Sequence, residues 1–569
     1  MPKDTIGQTE SHRPTRREVI VGLISTAVAT SIFPPTPADA DLAYPALRAI
    51  NIMNFIRAEE PREKMDLFSP VREQMAQIKA YGFPATWLLQ YDALFEGPFV
   101  EFLKAEMQPN HEVGIWFEMN RKICEDAGIA WRGNPDWEWD YHVPVAYAIG
   151  YTPEERRKLA DTAMATFKRV FGRSARTIAS WNLDAVSVEH FTNHYKIDAF
   201  GNCRDQLATD GFTIWGAPIA GYYPSTVNAW SPAVNRKNQL KTPIFRLLGQ
   251  DPVYYYDNRI PYPDTMEPVW ASGQSEVFVD NFLEMIAVHP SCQFAYAQLG
   301  QENSFGWPAM QVGYPMQMEK LAHISKMDGV VVETMGETGR RFKRAFKTTP
   351  PQAQVMLNDP FGHKIEPQRT IWYQSRFLRA NLHFRNREFY LRDLQVYNDL
   401  YPQPYLTVPA TIHGIEQRML AVLDGYHWSD DNVQAGKPGT RAAGRFARVD
   451  DSGTVTPLEM DGSPVVTENA NSLTATVSLS SGGAMDVQFS ERELGFRVTR
   501  TPKQARLQLI FDWVTDRSAL HSVEPHQLHY SYRDFAYHVR VVNGVANATK
   551  SGVVITAGKS GTLTLRMAQ

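Results

Sequence analysis

Leu47-Arg48-Ala49-Ile50-Asn51-Ile52-Met53-Asn54-Phe55, then Pro70-Val71-Arg72-Glu73-Gln74-Met75-Ala76-Gln77-Ile78-Lys79-Ala80-Tyr81, then Ala85-Thr86-Trp87-Leu88-Leu89-Gln90, read as a short apolar run, an amphipathic stretch and a second apolar run. In the middle stretch Val71, Met75, Ile78 and Tyr81 recur at helical spacing. This is the pattern expected where parallel strands are joined by helices. It repeats from Ala46 to about Thr338, with candidate strands at 47–55, 85–90, 112–117, 177–182, 199–202, 213–217, 292–299 and 329–333. A second helix is expected over 153–171, because Thr152-Pro153-Glu154-Glu155 supplies a cap, a proline and first-turn acids. The fold class that follows is α/β, a parallel barrel of seven or eight strands.

Outward from the barrel, 222–273 is rich in Pro, Asn, Tyr and Trp and reads as a long excursion over the barrel mouth, where binding loops usually lie. Beyond Pro350 the texture changes: 370–381 and 387–397 read as strand-rich connections and 414–426 as helical. After about Gly439, short alternating segments at 472–479, 485–489, 495–500, 505–511, 537–542 and 561–567 are separated by Gly, Ser, Asp and Asn turns. That spacing predicts an antiparallel β-sandwich. The expected organisation is a barrel over 41–350, a mixed connecting region over 351–438 and a sandwich over 439–569.

The first forty residues carry Arg16-Arg17, a modest apolar run from Val19 to Phe33 and then Ala38-Asp39-Ala40. The run is too short to cross a bilayer of roughly 30 Å, and the arrangement is that of a signal peptide. Thr15-Arg16-Arg17-Glu18-Val19-Ile20 resembles the twin-arginine export motif, so a periplasmic or secreted protein is expected. A net charge of −4 with acids and bases mixed along the chain argues against nucleic acid as a partner. No later stretch approaches a membrane-spanning length, and three scattered cysteines allow one disulfide at most. Aromatic residues make up 12% of the chain, including 13 Trp, and such rings serve both cores and the stacking of sugars.

In a parallel barrel the reactive groups gather at the C-terminal ends of strands. The acids that follow a predicted strand are Glu59, Glu60, Asp92, Glu118, Asp184, Asp205, Glu302, Glu333 and Glu337. Glycoside hydrolysis needs two carboxyl groups, one protonated to release the leaving oxygen and one ionised to activate water or attack the sugar. Glu118, Asp184 and Glu302 stand out because they sit among aromatics in Trp116-Phe117-Glu118, Trp181-Asn182-Leu183-Asp184 and Gln301-Glu302-Asn303-Ser304-Phe305-Gly306-Trp307. Trp116, Trp181 and Trp307, with Trp137 and Trp139 from a polar loop, are candidate sugar platforms. Arg204 and Asp205, directly behind a strand, are placed to hold sugar hydroxyls or to hold each other. No cofactor and no metal are expected.

The segments Ala80-Tyr81-Gly82-Phe83-Pro84-Ala85-Thr86-Trp87 and Asn110-His111-Glu112-Val113-Gly114 resemble the polysaccharide deacetylase family, over roughly 46–221. The resemblance implies a barrel, but the family's metal-binding histidines fall on Trp116 and Asn120, and its paired aspartates fall near Ile56 and Arg57. Neither Trp116 nor Asn120 offers an imidazole. The chain also resembles exported bacterial proteins of the glycoside hydrolase/deacetylase barrel superfamily, through Phe245-Arg246-Leu247-Leu248-Gly249-Gln250-Asp251-Pro252 and Glu333-Thr334-Met335-Gly336-Glu337-Thr338-Gly339.

The expected function is a glycoside hydrolase on an extracellular or periplasmic polysaccharide, with Glu118, Asp184 and Glu302 as the pool for acid, base or nucleophile. Two alternatives stand beside it. One is a metal-dependent esterase or deacetylase with a rearranged site around Asp184 and His190 or His194. The other is a sugar-binding protein without catalysis, in which the strand-end acids do not converge.

Overall fold

In the computed structural model, residues 46–204, 212–248, 251, 253, 266–358, 368–413, 415–426, 443–499, 505–512 and 519–567 are described. From Ala43 onward the chain is one compact unit. Eight parallel strands build its first half: β1 (Leu47–Ile56), β2 (Thr86–Leu89), β3 (Glu112–Trp116), β4 (Thr177–Ala179), β5 (Ala199–Cys203), β6 (Ile244–Leu247), β7 (Phe294–Leu299) and β8 (Val330–Val332). They pair in the order β7-β1-β2-β3-β4-β5-β6, with β8 on β1, in a nearly closed barrel. The ten-residue β1 is shared lengthwise: Arg48–Ile50 pair with β8, while Met53–Ile56, higher up, pair with β2. Between β6 and β7 the ring is closed by side chains. Phe245 stacks on Tyr296 at 5.0 Å, and the Leu248 N–H donates to Gln298 Oε1 at 3.0 Å.

Seven of the eight expected strands are barrel strands, and 213–217 is not. Phe212–Trp215 pairs in parallel with Ile415–Arg418 away from the barrel, and β6 comes from the excursion instead. Ile244-Phe245-Arg246-Leu247 is only four residues between Pro243 and a polar stretch, so its apolar signal was lost in the surrounding loop composition. Helix α1 (Phe68–Tyr81) packs Val71, Met75 and Ile78 inward and ends on Gly82 in the left-handed conformation. Helix α2 (Pro153–Phe171) opens with the expected capping box between Thr152 and Glu155.

The floor of the barrel explains Glu333–Gly339. Glu112, at the start of β3, accepts hydrogen bonds from Thr86 Oγ1, Thr177 Oγ1 and the Gly336 N–H, at 3.0, 2.9 and 2.8 Å. This joins the first residues of β2, β3 and β4 to the helix after β8, α3 (Met335–Ala345). A Cβ on Gly336 would lie 2.4 Å from the Glu112 carboxylate, so any larger residue would have to displace that carboxylate from its hydrogen bonds. Burial pushes the Glu112 carboxyl above its usual range. Glu333 is taken by Arg341 and Thr338, and Glu337 by Arg340. Because β8 ends at the level where β2 begins, these two acids belong to the floor and not to the rim.

The C-terminal half is antiparallel. One sheet runs from Gln352–Met356 through Gln368–Gln374, Leu378–Arg385 and Glu388–Val396 to Ala443–Val449 and beyond, and a second runs from Val465–Glu468 to Leu520–Glu524. The helical reading of 414–426 is corrected: Leu420–Asp424 is a strand on Glu388–Val396, because cross-strand pairing outweighs the helix-forming tendency of Leu and Ala. In the first sheet Gln354, Trp372, Asn381, Asp393 and Asp424 stand opposite one another on successive strands and all are buried. This polar face is turned toward the barrel half. Gln352 exchanges two hydrogen bonds with Gly221, and Arg379 donates to the Ala217 carbonyl at 2.7 Å. Side chains thus replace a strand partner at the junction, and the two halves pack as one body.

Candidate functional site

The inward-facing residues of β1 and β3 alternate, so Phe55 and Trp116 are followed two residues later by Arg57 and Glu118 on the same side. Phe55, Trp116 and Trp181 pack as a triad inside the upper barrel, with ring centroids 4.1, 5.3 and 4.8 Å apart. Above that apolar layer sits the Arg57 guanidinium. Its Nη2 pairs with Glu118 Oε2 at 3.0 Å, and its Nη1 with Glu302 Oε2 at 2.8 Å. One cation therefore ties together the acids at the ends of β3 and β7. Gln90, at the end of β2, donates to the same Glu118 oxygen at 3.4 Å.

The position of Arg57 is fixed from several sides. Asn303 accepts from the Arg57 N–H at 2.9 Å and donates to the Arg57 carbonyl at 2.8 Å, and Ser304 Oγ accepts from Nη1 at 3.2 Å. Trp139 covers the guanidinium face at 4.3 Å, with Arg62 on the same indole at 5.1 Å. Gly300, with φ of +99°, makes the turn that brings Glu302 inward, and a Cβ there would meet the Met53 carbonyl oxygen at 2.2 Å. The sequence singled out Glu118 and Glu302 but not Arg57. Its signal was present as a charge directly behind the long and largely apolar β1.

Asp92, in the turn after β2, joins this group. Its carboxylate accepts from the Ala58 N–H at 3.3 Å and the Ala93 N–H at 2.7 Å. Burial, with Glu59 beside it, pushes the Asp92 carboxyl up to about 7, against the pull of these N–H donors and Arg57. Asp92 keeps some exposure as a residue although its carboxyl is enclosed, whereas Glu118 is sealed beneath Arg57. Around them the rim carries Glu59, Glu60, Glu96 and Glu138. Glu59 is held above its ordinary range by partial burial and the charges of Glu138 and Glu96, while Glu60 is held below it by Arg62.

The third expected acid lies elsewhere. Asp184 caps the helix Ala185–His194, accepting from the Val186 and Ser187 N–H groups and from Ser187 Oγ. It is also paired with Arg156 at 3.1 Å, both side chains fully buried. Its oxygens are used in joining two helices, which corrects the assignment of Asp184 to the catalytic pool. His190 binds Asp161 at 2.7 Å and His194 binds the His190 carbonyl, so the alternative site of Asp184 with these histidines is not assembled either. Among the described residues, no group of three or more His, Cys, Asp or Glu side chains is arranged to hold a metal ion.

The aromatic candidates divide the same way. Trp116 and Trp181 are interior, so they floor the site and offer no face to a sugar, a correction that follows from their burial. Trp139 is buried as the cover of Arg57. Trp137 and Trp307 are half-buried, and Trp137 neighbours Tyr141 at 6.1 Å. Arg204, at the end of β5, reaches Gln354 of the C-terminal sheet at 2.8 Å and so marks the junction of the two halves. Asp205 lies outside the described residues.

No family model matches the chain, and no curated protein matches it. Solved structures do. A protein from Parabacteroides distasonis named as a glycoside hydrolase/deacetylase is similar at 14% identity and a TM-score of 0.49, over 69% of this chain and 93% of that one. A Mycobacterium smegmatis protein named as a polysaccharide deacetylase is similar at 13% identity and 0.35, over 55% and 96%. A third, named as a polysaccharide deacetylase from Pseudomonas aeruginosa PAO1, gives 11% and 0.33, over 53% and 93%.

Proposed function

We propose that the chain is a carbohydrate-active hydrolase, a glycoside hydrolase working at the barrel mouth around Arg57. The observation that carries this reading is the coexistence, in one cluster, of carboxylates paired with a guanidinium and a carboxyl pushed up to about 7. Ion pairing favours the charged form of Glu302, while Asp92 keeps its proton near neutrality. Acid and base chemistry on a glycosidic bond requires that division of states. In this reading Asp92 protonates the leaving oxygen, Glu302 is the ionised partner, and Glu118 holds Arg57 from below. Trp137 and Tyr141 line the approach as sugar platforms. Export through the twin-arginine route would place this activity on extracellular or periplasmic polysaccharide.

The test is turnover of a polysaccharide panel by Asp92→Asn and Glu302→Gln. Loss of a positioned acid is expected to lower kcat by about 10²–10⁴ and to abolish the decline of activity above about pH 7. Full activity in both variants would end this reading. Sugar binding with no turnover by the parent would favour a binding protein that has kept the barrel without the chemistry.

A further inference from the structure

At the floor of the barrel the balance of charge is reversed. The stretches 172–176, 195–198, 235–243 and 340–350 hold eleven Arg and Lys residues and one acid, Asp198, in a chain where acids outnumber bases by 62 to 58. The first three stretches lead into β4, β5 and β6, and the fourth takes in the end of α3, so all four stand at the end of the barrel opposite the mouth. Hydrogen bonds make them one surface. Arg176 and Lys343 both meet Asp198, at 2.8 and 3.3 Å, Lys343 also donates to the Ile197 carbonyl at 3.2 Å, and Gln239 donates to the Lys347 carbonyl at 3.0 Å. Arg340 shares Asp198 and also meets Glu337, and Arg341 pairs with Glu333. The other seven cations are exposed and have no ion-pair partner among the described residues. Burial, with Arg176 and Arg340 beside it, holds the Lys343 ammonium below its usual range. Gathering like charges from separate elements costs the fold self-repulsion.

Two further features of the same end point to a lipid surface. Tyr81, Val288 and Met327 are exposed apolar side chains on the approaches to β2, β7 and β8. A bilayer interface takes up such side chains beside cations, whereas an acidic polymer in water leaves them wet. The chain also enters the barrel at this end, through Leu47, so the apolar run of 19–33 is linked to the cationic face and not to the mouth.

We propose that this floor docks on an anionic phospholipid surface, with the headgroup phosphates against the cations and the mouth turned away from the bilayer. Cations spread over four elements of an end face match a two-dimensional array of headgroups. The face lies at the opposite end of the strands from Arg57 and acts independently of the chemistry at the mouth.

The experiment is co-sedimentation of the full chain with vesicles of phosphatidylcholine and with vesicles of equal parts phosphatidylcholine and phosphatidylglycerol, at low and high salt. Each exposed cation adds modestly near a charged surface, so the partition coefficient is expected to favour the anionic vesicles by at least about tenfold at low salt. High salt should erase the preference, because the attraction is screened within a Debye length. The Lys237→Gln/Lys241→Gln/Arg344→Gln/Lys347→Gln variant, which removes four exposed charges, should lose most of it with an unchanged Tm. The smaller Arg344→Glu/Lys347→Glu variant should weaken it in the same direction, which keeps the test open if the fourfold variant fails to fold. Equal partitioning into both vesicles would overturn the proposal. So would an anionic preference that both variants retain, since the binding would then come from residues outside the floor. Binding to soluble heparin or duplex DNA with none to anionic vesicles would overturn it by assigning the face to a polymer. Release by inorganic phosphate, but not by chloride of equal ionic strength, would replace the lipid surface with a discrete phosphate site.

Discussion

At the residue scale the molecule turns on Arg57. Two carboxylates on one buried guanidinium are held as a set, because the planar fork meets both and its one positive charge lies between them. Removing the cation leaves two buried anions facing each other. Arg57→Gln is therefore expected to destabilise the protein by about 3–5 kcal/mol in denaturant unfolding, and a loss below about 1 kcal/mol would show that the pair is not buried as a unit. Asp92 gives the complementary prediction in pH. Its folded carboxyl lies at about 7, above the unfolded value of 3.8, so the folded state binds the proton more tightly. That contribution to stability is complete below about pH 4 and disappears as pH rises through about 7. Asp92→Asn should thus gain Tm relative to the parent between about pH 5 and about pH 8, and two parallel Tm curves would exclude the raised carboxyl.

At the scale of elements, strand ends place the chemistry and turns aim it. β1 and β3 deliver Arg57 and Glu118 by simple alternation, which is legible in sequence once the strands are found. Glu302 depends on a turn: Gly300 takes a left-handed conformation against the Met53 carbonyl, and no side chain fits. Gly300→Ala is expected to cost about 1–3 kcal/mol and to lower turnover with it, because Glu302 moves. Unchanged stability in that variant would mean the turn has another accessible shape. The capping box at Thr152 was equally readable, since it is decided within a few residues. β6 was not, because a four-residue strand has too few positions for its pattern to rise above a Pro-rich neighbourhood.

At the scale of the whole molecule, the C-terminal half completes the barrel half. Gln352 takes both backbone groups of Gly221, Gln374 accepts from the Ile219 N–H and Arg379 takes the Ala217 carbonyl, so the barrel's own chain relies on the sheet for its hydrogen bonds. Asp393, buried between Arg379 and Asp424, is pushed up to about 6 by that enclosure. A fragment ending near residue 350 would leave these backbone groups buried and unpaired, or expose an apolar face around them. It is expected to be insoluble or unfolded, while the chain from Ala43 melts in one transition. A soluble, cooperatively folded fragment would refute the single-body description.

The sequence by itself determined what neighbouring residues decide among themselves: strands and helices from periodicity, caps from side chains three residues apart, turns from glycine and proline, and the acids that stand behind strands. It singled out Glu118 and Glu302 for that reason, and Asp184 for the same reason, with nothing to tell them apart. Only the tertiary structure separated them. Arg57 and Glu302 are 245 positions apart and meet because the ring brings β7 beside β1, whereas Asp184 meets Arg156 from the helix before it. Electrostatic partnership depends on distance in space, and closing the barrel sets that distance.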